Sequence, residues 1–199
     1  LNEVYFLPDY RKLPDLGIEQ FGKLYGAFYL NYNHEQFLDC IQEFGIPTEN
    51  KLKALSLGQH RKVHLSFALA CNSSVLLMDE PTNGLDIPSK SIFRKLLSKY
   101  INEDRIFLIA THQIRDIDVL LDHLLIMKNG SLVLDENIYQ LSNQFKISKS
   151  SADAQNAIYV QDDLAGPFYL IENKTLEETK LDIEFLFNAF TTNSKPIQR

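Results

Sequence analysis

Glycine and proline are scarce in this 199-residue chain, at 8 and 7 residues, which excludes a collagen-like or low-complexity polymer. Long hydrophobic runs are missing as well. Those present, such as residues 106–110 and 75–78, are strand-sized and far short of the roughly 20 residues a membrane-spanning helix requires. Cysteine occurs only at Cys40 and Cys71, within apolar stretches and without metal-ligand spacing. Neither a disulfide framework nor a zinc site is expected, and the cytosol is the default compartment. Positive charge is not in excess, with 20 Lys+Arg against 26 Asp+Glu. A net charge of −6 gives no general attraction to phosphate backbones, so nucleic acid is not expected as the main partner. The chain opens at Leu1 with no initiator Met and no basic or apolar leader, as expected of a cut inside a longer protein.

What is present is a 45% apolar chain able to bury a core of one compact domain or a little more. Residues 4–7 read as a strand stopped by Pro8. Apolar residues at three- and four-residue intervals predict helices over 18–30 and, after Asn33 as N-cap, up to Gly45. The middle of the chain alternates. Residues 57–70 read as helix, 75–78 as strand, the stretch after Asp86 and Pro88 as helix, 106–110 as strand, 114–121 as a short helix and 124–127 as a third strand. Strands apolar on both faces alternating with helices indicate a parallel sheet covered by helices, an α/β fold. Asn129-Gly130 signals a hairpin into an antiparallel edge strand at 132–134. Past Lys146 two more strands, at 157–160 and 167–171, precede a helix opened by a capping box at 175–178 and running to Phe190. The expected organisation is a domain over 1–146, with a helical subdomain at about 17–70, and a small α+β extension over 147–199.

Three short stretches carry chemistry. Residues 75–80 form an apolar strand ending in Asp79 and Glu80, whose side chains diverge at the carboxyl end of a sheet, where ligands bind. Such a pair reads either as a solvated strand end or as one carboxylate for a metal and one for a water. Ser56-Leu57-Gly58-Gln59 reads either as a capping box or as an anion site of hydroxyl, glycine N–H and helix N-terminus. Thr111-His112 follows the strand 106–110, and an isolated histidine is more often a packed or surface residue than a functional one.

The order and separation of these stretches say more than any one of them. Asp79 lies 23 residues after Ser56, and His112 lies 33 after Asp79. Here the chain resembles the ATP-binding-cassette (ABC) ATPases, whose fold is a P-loop NTPase-like parallel sheet with a helical subdomain. Leu55-Ser56-Leu57-Gly58-Gln59 is similar to their signature motif, with Leu57 where glycine is common. Residues 75–80 look like the Walker B strand and its glutamate, 81–86 like the segment leading to the D-loop, and Thr111-His112 like the switch histidine. The resemblance implies ATP and Mg²⁺ as cofactors. Asp79 would hold the metal, Glu80 would orient or deprotonate the attacking water, and His112 would contact the γ-phosphate. Asp86 would link two half-sites, and Ser56, Gly58 and Gln59 would embrace the nucleotide of a partner subunit. Asp9, in the place of the Q-loop glutamine, would take a metal or coupling role.

The same resemblance requires a Walker A loop, and none is found. Gly17-Ile18-Glu19-Gln20-Phe21-Gly22-Lys23-Leu24 has the spacing, but Leu24 replaces the hydroxyl residue, no apolar strand precedes it, and its periodicity is helical. The chain thus reads as the C-terminal two-thirds of an ABC ATPase, inactive alone and exposing sheet edges that favour self-association. The whole protein would be an ATPase subunit of an ABC transporter, cytoplasmic and peripheral at the inner face of the cell membrane. Its partners would be a transmembrane permease subunit and a second copy or second ATPase subunit. A non-transport ABC ATPase of translation or chromosomes and a non-enzymatic regulatory module are the alternatives.

Overall fold

The computed structural model describes residues 3–9, 12–164, 166–174 and 179–192. These fall into two compact units, residues 1–116 and 117–199. The division lies well before the compositional shift near residue 146, because the hairpin that follows it makes its contacts with the last helix of the chain.

The first unit is built on three parallel strands, β1 (Val4–Leu7), β2 (Val75–Asp79) and β3 (Ile106–Ala110), in the order β1-β2-β3. Val4, Val75 and Ile106 share one rung, and Leu7, Met78 and Ile109 another. The β-branched and aromatic residues suit these strands, and their alternation decides what is buried. Tyr5, Leu7, Leu76 and Met78 lie in the core, whereas Phe6 is 55% exposed and Ile106 64%. Helices were expected to cover both faces; they cover one, and Val4, Phe6, Ile106 and Leu108 give the other an open apolar surface.

Four helices complete the unit: α1 (Ile18–Gly26), α2 (His34–Glu43), α3 (Leu57–Ala70) and α4 (Ile87–Tyr100). The first is shorter than its apolar pattern, ending before 27–30. The side chains of Asn33, Ser56 and Asp86 accept the orphan N–H groups that open α2, α3 and α4. Gly45, at φ +68°, follows α2 in the left-handed conformation that glycine adopts without strain. Phe67 of α3 is the hub of the core, its ring centroid 4.9 Å from that of Phe21, 5.4 Å from Tyr32 and 6.1 Å from Phe37. Gly26 permits this packing, since a Cβ there would stand 2.2 Å from the Tyr32 ring. In place of the helix expected at 114–121 there are two separate 3₁₀ turns, Ile114–Asp116 and Asp118–Leu120.

The second unit begins with a hairpin, β4 (His123–Lys128) and β5 (Ser131–Asn137). Asn129 and Gly130, at φ +51° and +78°, turn it in the left-handed manner that suits a two-residue hairpin. The expected hairpin forms, with β4 antiparallel to β5, but in a separate two-stranded sheet and not in the parallel sheet that residues 124–127 were expected to join. A short helix, α5 (Ile138–Gln144), follows. It leads into a three-stranded antiparallel sheet of β6 (Phe145–Ser148), β7 (Tyr159–Gln161) and β8 (Phe168–Glu172) in the order β6-β8-β7. The last helix, α6 (Ile183–Thr192), begins later than expected, where Asp182 Oδ1 accepts from the Phe185 N–H at 3.0 Å. The expected capping box at 175–178 lies outside the described residues. Leu181, Phe185, Ala189 and Phe190 fall at helical spacing as one apolar face, and of these Phe185 and Ala189 are buried. Among the described residues no helix is long and apolar enough to cross a membrane.

Phe67→Ala is expected to destabilise the first unit by about 3–5 kcal/mol in urea unfolding, the usual cost of deleting a fully packed ring. A loss below about 1 kcal/mol would show that the aromatic cluster is not its core.

Candidate functional site

The carboxyl ends of β2 and β3 bring two of the sequence-predicted residues into contact. Glu80 leaves the strand with φ +45°, a left-handed conformation uncommon for a residue with a side chain, and its N–H donates to Ala110 O at 2.8 Å. This turn presents its carboxylate to the residues just beyond β3. Thr111 Oγ1 donates to Glu80 Oε2 at 2.8 Å, the His112 N–H donates to Oε1 at 3.0 Å, and His112 Nδ1 lies 2.5 Å from the same oxygen. The His112 side chain remains 74% exposed, so the pair is accessible to a ligand. Asp79 is adjacent, on the open face of the sheet by strand alternation.

Asp9 stands just past the end of β1. Its Oδ1 accepts from Asn83 Nδ2 at 3.1 Å and lies 3.4 Å from Arg61 Nη2, so this carboxylate is already engaged. Ser56 and Gln59 do form the capping box: Ser56 Oγ accepts from the Gln59 N–H at 3.3 Å, and Gln59 Oε1 from the Ser56 N–H at 2.9 Å. Gly58 packs on the Gly84 turn, where an added Cβ would stand 3.1 Å from Gly84 O. Asp86 caps α4 by accepting from the Ser89 N–H at 2.9 Å. Ser56, Gly58, Gln59 and Asp86 thus make local bonds and none to Glu80 or His112. Among the described residues no three His, Cys, Asp or Glu side chains are grouped to hold a metal. Magnesium in phosphoryl-transfer sites takes one or two carboxylates and otherwise phosphate and water, a demand that Asp79 meets without a protein cage.

The family model for the ABC transporter matches residues 8–83, the stretch that carries Asp9, the Ser56 turn and the Asp79-Glu80 pair. Over this stretch the chain is similar in sequence to ABC transporters, and its fold resembles that of solved ATP-binding cassettes. The chain is 31% identical over 121 residues to the ABC transporter ATP-binding protein NatA of Bacillus subtilis, covering 58% of this chain and 48% of that protein. It is 31% identical over 124 residues to the energy-coupling factor transporter ATP-binding protein EcfA2 of Staphylococcus aureus, covering 62% of this chain and 42% of that one. It therefore spans less than half the length of these curated relatives. Among solved structures, a dimeric ATP-binding cassette in a post-hydrolysis state, bound to ADP and Pi, superposes with a TM-score of 0.58 at 23% identity. That superposition covers 68% of this chain and 63% of the other.

Within the matched stretch the Walker A look-alike is a helix. Gly17 precedes α1, and Gly22 is buried, with room for a Cβ only 2.7 Å from Phe37 and Tyr32. Sequence reasoning missed several residues of the site. Arg61, 5% exposed, reaches the backbone at the ends of β1 and β2; in the sequence nothing sets it apart from the neighbouring Lys62. Lys90 of α4 donates to Gln113 Oε1 at 2.9 Å and pairs with Asp116 at 2.7 Å, and the Gln113 N–H donates to Thr111 Oγ1 at 2.9 Å. This chain of contacts runs from α4 to the hydroxyl that holds Glu80.

Burial pushes the Glu80 carboxyl up, but the hydrogen bonds from His112 and Thr111 prevail and hold it below the usual carboxylate range. A carboxylate lowered in the folded state stabilises the fold above its unfolded pKa of about 4.3, and that contribution is lost as pH falls through the folded value. The urea midpoint of the wild type minus that of Glu80→Gln is expected to be level above about pH 5 and to fall between about pH 5 and 3. A difference independent of pH would refute the coupling.

Proposed function

We propose that the whole protein is the ATP-binding and ATP-hydrolysing subunit of an ABC transporter. The observation that carries this is the Glu80 carboxylate, presented at the end of β2 and held by Thr111 and His112, within the stretch matched by the family model. Phosphoryl transfer needs positioning and charge neutralisation more than covalent chemistry, and the residues divide accordingly. Asp79 would hold Mg²⁺, which when bound neutralises phosphate charge. Glu80 orients or deprotonates the attacking water, for which its carboxylate must turn away from His112. His112, already exposed, is then released to meet the terminal phosphate.

Ser56, Gly58, Gln59 and Asp86 face a nucleotide shared with a second copy or a second ATPase subunit. Their lack of bonds to Glu80 supports this division, because on this reading they serve the opposite half-site. The NatA and EcfA2 relatives, named as transporter ATP-binding proteins, and the dimeric cassette with ADP and Pi support the same reading. The permease would dock on the helical subdomain beside the Asp9 segment, where Tyr5, Leu13, Phe21, Tyr25 and Phe28 line a cavity of about 650 Å³. On this reading the protein works at the cytoplasmic face of the membrane. The described residues hold no phosphate cradle, and on this reading residues 1–199 alone would not sustain turnover.

In the whole protein, Glu80→Gln is expected to leave ATP binding intact and to lower turnover by about 10²–10⁴-fold, the range for losing a general base. Unchanged turnover would remove Glu80 from the chemistry. Residues 1–199 by themselves are expected to release no phosphate from Mg-ATP at steady state. Steady release abolished by Glu80→Gln would overturn that expectation.

A further inference from the structure

A buried guanidinium ties the segments that carry Asp9 and Glu80 to each other. The five N–H donors of arginine form a rigid planar fork. Arg61 Nη1 donates to Pro8 O at 2.7 Å and to Asp9 O at 2.5 Å, while Nε donates to Pro81 O at 3.3 Å. Nη2 donates to Asp79 O at 2.8 Å and to Glu80 O, with Asp9 Oδ1 3.4 Å away as its ion-pair partner. These acceptors belong to the two chain segments just beyond β1 and β2. Glu80 is the residue that needs such a hold, because its left-handed backbone, at φ +45°, is what turns its carboxylate toward Thr111 and His112. A helix α3 residue therefore fixes Glu80 without touching its side chain.

We propose that Arg61 is a positioning residue for the ATPase reaction: by gripping the carbonyls on both sides of Glu80 and those of Pro8 and Asp9, it fixes the backbone from which the Glu80 carboxylate is presented beside His112. It also joins the Asp9 segment to Glu80, so that a displacement of that segment reaches the carboxylate through one rigid group. The proposal rests on the ATPase reading for its kinetic consequence, but its geometric content stands apart from it. Lysine offers a point charge without the fork and cannot hold both segments at once.

The test uses the full-length protein with Arg61→Lys and Arg61→Gln. Four measurements are made: melting temperature, Mg-ATP binding, steady-state kinetics, and NMR of ring-labelled histidine with His123 as the internal control. In a folded variant, ATP binding is expected to stay within about threefold and kcat to fall by about 10–100-fold at similar KM, the scale of a misplaced reacting group. The His112 ring signal should shift while that of His123 stays. An unmoved His112 signal, a kcat within twofold of wild type, or a loss of kcat matched by equal losses of binding and folded protein would each overturn the proposal. Should the wild type show no turnover, the ATPase reading fails, and the His112 signal alone then decides whether Arg61 positions Glu80. Should neither variant fold, the Arg61 N–H signals of the wild type decide: slow exchange with water is expected of the buried fork, and rapid exchange overturns it.

Discussion

Parallel strands that end together leave their last carbonyls beyond the reach of the ladder, and buried carbonyls need donors. At the ends of β1 and β2 that need is met largely by one arginine from a helix, joined at Glu80 O by the turn bond from the Asn83 N–H. The consequence is mechanical. The Asp9 segment and the Asp79-Glu80 segment cannot shift independently while the guanidinium holds both, and the orientation of Glu80 is inherited from the packing of α3. The aromatic cluster around Phe67 fixes α3 in turn, so the placement of the site rests on the core of the same unit.

Much of this could be read in the sequence. Strands β1 and β3 and helix α3 fall where continuous apolar runs and the capping residues put them, and β2 extends its run only by Asp79. The Asp-Glu pair and the Thr-His pair were legible because each ends an apolar run, and a parallel sheet brings such ends to one edge. What failed was information the chain carries only in three dimensions. An apolar run of four to six residues cannot say which of its faces will be covered, so uncovered apolar surface was expected without being assigned to Val4, Phe6, Ile106 and Leu108. Nor can it say which strand it will join, so β4 was placed in the wrong sheet. Helix α5 and strand β6 lie in a stretch of mixed polarity with no clear period. Arg61 was passed over because a charge on a helix is ordinarily solvated, and only its burial reveals its task.

The Glu80–His112 contact and the open sheet face share one property. Both present to solvent groups that a folded chain usually hides or satisfies internally. The carboxylate and imidazole are bound to each other yet reachable through the exposed ring of His112, and Asp79 shares the side of the sheet that remains uncovered. A large exposed apolar patch in a soluble chain is commonly an interaction surface. The chemistry-bearing edge and this surface thus belong to the same side of one small sheet.

The contact between Gly58 and the Gly84 carbonyl changes how mutational data at the signature turn should be interpreted. Bulk at position 58 would press on the turn whose neighbour, Asn83, steadies the Asp9 carboxylate. A defect caused by such a replacement would be composite, arising in part inside its own subunit, and assigning it wholly to contact with a nucleotide across a dimer would overstate what the phenotype says.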